Sequence, residues 1–206
     1  MKYLALGDSI SIDDYTGVPY GGAANQFARI IKADPFQNLT QDGWTTFNVF
    51  DDLTRVTEKP DIITLTVGGN DLLAVTAFQE SLPTTQTGWH QIVDKVLQRI
   101  KIILDHIAKY NALLILNTVY DPTDGQHQRF EDMCMPSQAG LGLTMFNNGI
   151  RRLARMYSAK LCDLEFFFRG HGFWSKDPWL TKVIEPNFTG ATAIAIHWAV
   201  FTAELL

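Results

Sequence analysis

The sequence predicts an α/β fold, a mainly parallel sheet of about five strands covered by helices on both faces. Two observations predict it. Short apolar runs alternate along the whole chain with longer segments of helical period, the pattern of βαβ units whose crossovers cover a parallel sheet. The 206 residues, 46% hydrophobic and 19% charged, suffice for one substantial core and fit one domain, 1–206, better than two.

Each element can be read in order. Tyr3–Leu6 reads as the first strand. Gly21 to Ala33 sets Ala24, Phe27, Ala28 and Ile31 on one helical face. Asp61–Val67 is a β-branched strand ending at Gly68-Gly69. From Trp89 to Tyr110, apolar residues recur at Ile92, Val93, Val96, Ile100, Ile103, Leu104 and Ile107, the spacing of an amphipathic helix. Ala112–Val119 is a strand, Leu143–Tyr157 a helix and Leu161–Phe168 a strand. The last helix runs from about Gly190 to Leu205, with Ile194, Trp198, Phe201 and Leu205 inward. No linker, repeat or low-complexity segment interrupts the series. In such sheets, functional groups gather beyond the carboxyl ends of the strands. Gly7-Asp8-Ser9, Gly68-Gly69-Asn70-Asp71 and the loop after Phe168 all fall there.

Composition narrows the function. The net charge of -5 and sequence pI near 5.5 leave no excess cation to neutralise phosphates, so nucleic acid and anionic membranes are not expected partners. No apolar stretch approaches the roughly 20 residues of a membrane span. The apolar run at the start is too short for a signal peptide, so a cytoplasmic location is the default, with a processed exported form left open. Cys134 and Cys162 stand in no metal-ligand pattern and read as free thiols. No metal cluster or phosphate loop is visible. Gly68-Gly69-Asn70 lacks the further glycine and downstream acid of a dinucleotide site. No cofactor is expected, and the oligomeric state is not readable.

Three segments carry chemistry. Ser9, at a tight turn after the first strand, would expose its hydroxyl and turn its N–H into the same space, which serves a nucleophile and one oxyanion donor. Gly, Asp and Ser are also the commonest turn residues, so Gly7-Asp8-Ser9 alone is weak. Gly69-Asn70 allows close backbone approach and supplies a neutral amide N–H for a developing oxyanion. Its plainer reading is a turn. Gly43, within Asn38-Leu39-Thr40-Gln41-Asp42-Gly43-Trp44-Thr45, could offer a backbone N–H to the same oxygen.

Taken together, Gly7-Asp8-Ser9, Gly43 and Gly69-Asn70-Asp71 resemble blocks I, II and III of the SGNH (GDSL-type) hydrolases. Ile184-Glu185-Pro186-Asn187-Phe188-Thr189-Gly190-Ala191 is similar to that family's Ile-His-Pro-Asn-Ala-Ala-Gly segment before the last helix, and Phe168-Arg169-Gly170-His171-Gly172 to a stretch upstream of it. The resemblance spans the chain. It implies a flavodoxin-like three-layer α/β/α sandwich that hydrolyses small acyl or acetyl esters without metal or cofactor. It also implies Ser9 as nucleophile, with an oxyanion hole of the Ser9 N–H, the Gly43 N–H and the Asn70 side chain.

The resemblance breaks at the base. The family's histidine slot holds Glu185, and its aspartate slot, three positions earlier, holds Lys182. Glutamate starts near pKa 4.3 against roughly 6.5 for histidine, a deficit of about 3 kcal/mol in proton affinity. A Lys182 charge beside Glu185 would weaken the base further. Three readings follow: Glu185 works as base with its pKa raised by burial; His171, between two glycines, assists or replaces it; or the protein binds a ligand without turnover. His171 also reads as an exposed loop residue. His197 lies too far along the last helix to reach Ser9, and His90, His106 and His127 read as surface or rim. Asp8 and Asp71 read as structural. Phe166-Phe167-Phe168, Phe173-Trp174 and Trp179 read as core or as an apolar acyl pocket.

Overall fold

The central strands form where the sequence is apolar on both faces. The computed structural model describes residues 1–78 and 85–203. In β1 (Tyr3–Gly7) and β3 (Ile62–Thr66) every residue is buried, as expected of strands covered by helices on either side. Between them in sequence lie α1 (Ala23–Ile30), β2 (Phe36–Thr40) and α2 (Thr46–Asp52). After β3 come α3 (Gly69–Phe78), α4 (Gln86–Ile107), β4 (Leu113–Asn117), α5 (Ala139–Met156), β5 (Lys160–Cys162) and α6 (Leu164–Phe167). A short antiparallel ribbon, β6 (Leu180–Thr181) with β7 (Glu185–Pro186), leads into α7 (Phe188–Val200). The five-stranded sheet has the order β2-β1-β3-β4-β5, every pairing parallel. This is the predicted three-layer α/β/α arrangement.

Side-chain alternation along the strands divides the core in two. Leu4, Leu6, Ile63 and Leu65 face α4 and α5, packing on Ile100, Ile103, Phe146 and Ile150. Tyr3, Ala5 and Ile62 point to the opposite face, where Phe27 of α1 and Ile194 and Trp198 of α7 cover them. The Trp198 indole donates to Asn117 Oδ1 at 2.8 Å, and Asn117 Nδ2 donates to the Leu65 carbonyl at 3.0 Å, so these two buried side chains are paired.

Several boundaries differ from those read in the sequence. β2 was not foreseen as a strand: it lies at the sheet edge and buries only Leu39. Leu161–Phe168 is not one strand. β5 stops at Cys162, Asp163 turns aside to accept from Thr118 and Arg151, and the remainder forms α6. α5 begins at Ala139, earlier than expected, because Gly140 and Gly142 are required by packing: a Cβ on them would lie 2.7 Å and 2.5 Å from the His127 and Trp89 rings. Tertiary contact here overrides the low helix propensity of glycine. α7 starts at Phe188, where the Asn187 side chain accepts from Gly190 N. Leu205 lies outside the described residues.

Candidate active site

The turn after β1 is built by what surrounds Gly7. Its φ is +138°, and a Cβ there would sit 1.9 Å from the Thr66 carbonyl oxygen, so a side chain is excluded. The chain then reverses: Asp8 N–H donates to Thr66 O at 3.0 Å, and Asp8 Oδ1 accepts from Ile10 N at 3.2 Å. The carboxylate thereby caps a 3-10 turn over Ser9–Ser11, which is the structural role read for it. Ser9 heads that turn, where a backbone N–H has no partner within the helix. Ser9 is 8% exposed and lines a pocket together with Asn70.

The turn after β3 needs Gly68, at φ +111° and with the Phe146 ring 2.4 Å from a would-be Cβ. Asn70 stands in the first turn of α3, and its Nδ2 donates to the Trp44 carbonyl at 2.9 Å. One amide hydrogen is thus used to fix the side chain, and the second is left for a ligand. Asp71 is structural, as expected. Its buried carboxylate accepts from Thr46 N at 2.9 Å, Thr46 Oγ1 at 2.6 Å and Arg99 at 2.9 Å, binding the start of α2 to α3 and α4. Gly43 lies in the loop so held, exposed, at φ +73°. It does not line the pocket, and its N–H bonds no described residue.

The third contributor arrives on the β6–β7 ribbon. Lys182 and Val183 turn the chain at φ +48° and +73°, and Tyr120 anchors the return by donating its hydroxyl to the Ile184 carbonyl at 2.5 Å. Glu185 follows, 7% exposed, with Oε2 unpaired among the described residues. Burial raises its pKa, the neighbouring Ser9 hydroxyl pulls it down, and the Asp42 charge raises it. β7 packs against the turn that Ser9 heads, which sets the acid beside the hydroxyl; Ser9 and Asn70 line one pocket, and Ile184, next to Glu185, reaches it where Glu185 does not. Asp8 is pushed up to about 7, first by burial and also by Glu185. Tyr120 is raised well above the usual phenol value by burial, Glu185 and Asp8.

Two expectations about the base change. Lys182 is exposed at the apex of the turn and makes no ion pair with Glu185 among the described residues. The lowering expected from a neighbouring cation is replaced by a raising from burial. His171 is held elsewhere. Its ring stacks on Trp179 at 3.8 Å, with Nδ1 2.9 Å from the Asp177 carbonyl, and it does not line the pocket. His197 packs on Phe167 and His127 lies 3.5 Å from Asp121. Among the described residues no three His, Cys, Asp or Glu side chains group to hold a metal.

The pocket beside Ser9 and Asn70 is open to solvent and mostly apolar in its lining, as small-molecule sites are. Leu72, Trp89, Val119, Phe130, Met135 and Leu143 give it an apolar wall. The aromatic clusters singled out in the sequence do not line it: Phe168 and Trp179 pack with Tyr120 and α7 in the opposite core. The sequence reading missed Tyr120 and the segment Phe130–Met135. The apolar residues Phe130, Met133 and Met135, set in an otherwise polar connection after β4, were the available signal.

The sheet order, with a serine turn after its first strand and Gly-Asn after its third, defines the SGNH hydrolase fold. Residues 5–193 match the GDSL-like Lipase/Acylhydrolase family, and the chain belongs to it. Similar solved structures include the lipase Lip_vut3 from a goat rumen metagenome, 19% identical, covering 98% of this chain and 97% of that one with a TM-score of 0.76. An extracellular lipase from Streptomyces rimosus is 18% identical, covering 98% and 99%, with a TM-score of 0.67. The acetyl xylan esterase AlAXEase is 20% identical, covering 97% and 99%, with a TM-score of 0.69. At these identities the likeness bears on the fold. No curated protein matches the chain. No helix among the described residues is long and apolar enough to cross a membrane.

Proposed function

We propose that this protein hydrolyses small acyl esters, acetyl esters among them, through an acyl-Ser9 intermediate, as a cofactor-free cytoplasmic enzyme with Glu185 as the base. The observation that carries the reading is the packing of β7, which bears the buried carboxyl of Glu185, against the turn that Ser9 heads, with burial raising the pKa of that carboxyl. An ordinary exposed glutamate is too weak a base for a serine hydroxyl; burial moves it toward the range where general-base catalysis works.

The steps balance without further reagents. Glu185 takes the Ser9 proton as Oγ attacks the ester carbonyl, and the negative charge passes to the carbonyl oxygen. The Asn70 amide and the Ser9 N–H, both at the pocket, stabilise that oxyanion. The C–O bond to the alcohol breaks, and the proton held by Glu185 passes to the leaving oxygen. Water then repeats the sequence, releasing the acid and restoring Ser9. Removing one oxyanion donor of this type lowers kcat by roughly 10²–10³-fold, and Asn70→Ala is expected to fall in that range.

The direct test is hydrolysis of short p-nitrophenyl esters from pH 4 to 9 by wild type, Ser9→Ala and Glu185→Gln. Wild type should turn over and be labelled covalently at Ser9, and both variants should lose activity. The competing reading on the same fold, a ligand-binding protein without turnover, predicts inactivity at every pH with small molecules still raising the Tm. Absence of any Ser9-dependent turnover or labelling would decide for it.

A further inference from the structure

Glu185 is carried to the Ser9 turn on a ribbon that has few means of holding its own course. β6 and β7 are two residues each, paired through Leu180–Pro186 and Thr181–Glu185, and an isolated hairpin of that size is not stable in water. The tip that joins them is strained. Lys182 and Val183 both take left-handed backbone, at φ +48° and +73°, and for a β-branched residue such as Val183 that conformation is a true outlier. Backbone of this kind persists where its surroundings impose it. At the base the ribbon is tied: Asn187 N–H donates to the Trp179 carbonyl at 2.9 Å, and Leu180 is buried. The tip is tied at one point. Among the described residues, the bond from the Tyr120 hydroxyl to the Ile184 carbonyl, at 2.5 Å, is the only hydrogen bond that another element makes to residues 182–184.

We propose that Tyr120 is the positioning residue for the base: by gripping the carbonyl next to Glu185, its hydroxyl holds the strained tip and sets Glu185 beside Ser9. The assignment rests on the Ser9–Glu185 reading above and deepens it. Tyr120 is itself firmly placed, shortly beyond β4 and 3% exposed. Its ring stacks on Phe168 with centroids 4.5 Å apart, and Phe168 meets Trp179 edge-on at 5.3 Å. Trp179 is also the residue that ties Asn187. One set of packed rings therefore reaches from the base of the ribbon to its tip. Tyr120 and Ile184 line the same pocket as Ser9, so a shift of the tip is felt at the nucleophile.

The groups that face Glu185 are Asp8 and Ser9 on the turn after β1, Asp42 after β2 and Tyr120 after β4. Lys182, on its own ribbon, makes no ion pair with it among the described residues. The Tyr120 phenol stays protonated, because burial first, and then Glu185 and Asp8, raise it well above its usual range. Its grip therefore does not titrate between pH 4 and 9, and a changed acid limb in a Tyr120 variant reports on Glu185. When the tip relaxes, Glu185 exchanges burial for water. The main cause of its raised pKa is then removed, and its ionisation moves down toward the ordinary carboxylate range.

The test is Tyr120→Phe, which keeps the ring on Phe168 and removes only the hydroxyl. With a short p-nitrophenyl ester, kcat should fall roughly tenfold or more, part of the 10²–10⁴-fold that a general base supplies. KM should change less than about threefold, and the acid limb should move to lower pH. In Glu185→Gln the same substitution should change kcat less than about threefold, because both act through one group. A second readout needs no turnover: with 13C-labelled glutamate, the carboxyl signal that Glu185→Gln lacks should titrate at lower pH in Tyr120→Phe than in wild type. Val183→Asn accepts left-handed backbone without the grip and should recover part of the Tyr120→Phe loss; failure to recover would overturn the part given to the strained tip. Should Tyr120→Phe not fold alone, the pair is compared with Val183→Asn, and the titration should shift in the same direction. A downward shift without Ser9-dependent hydrolysis by wild type would leave the positioning role standing and overturn the base reading. Hydrolysis that needs Ser9 and Glu185, with kcat, limb and titration unchanged in Tyr120→Phe, would overturn the positioning role alone, even where the Tm falls.

Discussion

Ser9 and Glu185 stand near each other because β7 packs against the turn after β1. Read by charge alone, a glutamate beside Lys182 is an inadequate base; Glu185 is instead buried, and Lys182 makes no ion pair with it among the described residues. Its neighbour Asp8 adds a second titration. Activity should rise with pH as Glu185 ionises, with its acid limb above the ordinary glutamate value. It should decline above about pH 7 as Asp8, held near that value, gains a negative charge beside the oxyanion. The two limbs belong to the coupled pair. Asp8→Asn keeps an acceptor for Ile10 N and should abolish the alkaline limb, measured as kcat/KM against pH. Asp8 also holds its proton more tightly folded than unfolded. Its contribution to stability is complete below its unfolded value of 3.8 and is lost as pH rises toward about 7, by about 1.4 kcal/mol per pH unit while the two differ. Thermal unfolding should accordingly show Asp8→Asn gaining Tm over wild type at pH 8 and matching it at pH 4.

The elements were legible in proportion to how far their own residues decide them. β1 and β3 are apolar at every position but their threonines and final glycine, and their periods and ends sit within a residue or two of the sequence reading. α4 announces itself by an apolar stripe. β2 and the start of α5 did not, because an edge strand with one inward residue and a glycine-bearing first turn are fixed by partners distant in sequence. The glycine turns follow the same logic in reverse: Gly7 and Gly68 were read as turn residues, and the structure supplies the reason in Thr66 and Phe146. Gly7→Ala meets both a positive φ and a backbone oxygen at 1.9 Å, and should destabilise by 3 kcal/mol or more, on the order of the larger strain and overpacking effects. Gly149→Ala meets only the Leu97 side chain, nearest at a methyl 2.1 Å away, and about 1–3 kcal/mol is expected. Urea unfolding of the two variants would rank them.

At the scale of the molecule, the sheet order brings together loops that are far apart in the chain, and this is why the site could be partly named from sequence. Ser9, Gly43 and Asn70 follow β1, β2 and β3, three adjacent strands, so any chain with this order gathers them at one end. Glu185 comes from a two-residue ribbon whose path depends on Tyr120 and on two left-handed residues, and no periodicity forecasts that. His171 illustrates the converse: proximity in sequence to the last block suggested a base, and the fold commits its ring to Trp179 and Asp177. The exchange Lys182→Asp with Glu185→His restores the family's pair at a position where Asp tolerates the left-handed backbone well, and should move the acid limb of the pH profile toward roughly 6.5. The most direct measurement of the whole account is the pH dependence of kcat/KM for a p-nitrophenyl ester in wild type and Glu185→Gln, with covalent labelling of Ser9 followed in parallel. The account predicts Ser9-dependent turnover with an acid limb in wild type, and a loss of roughly 10²–10⁴-fold together with that limb in the variant. An unchanged rate and profile in Glu185→Gln would contradict it.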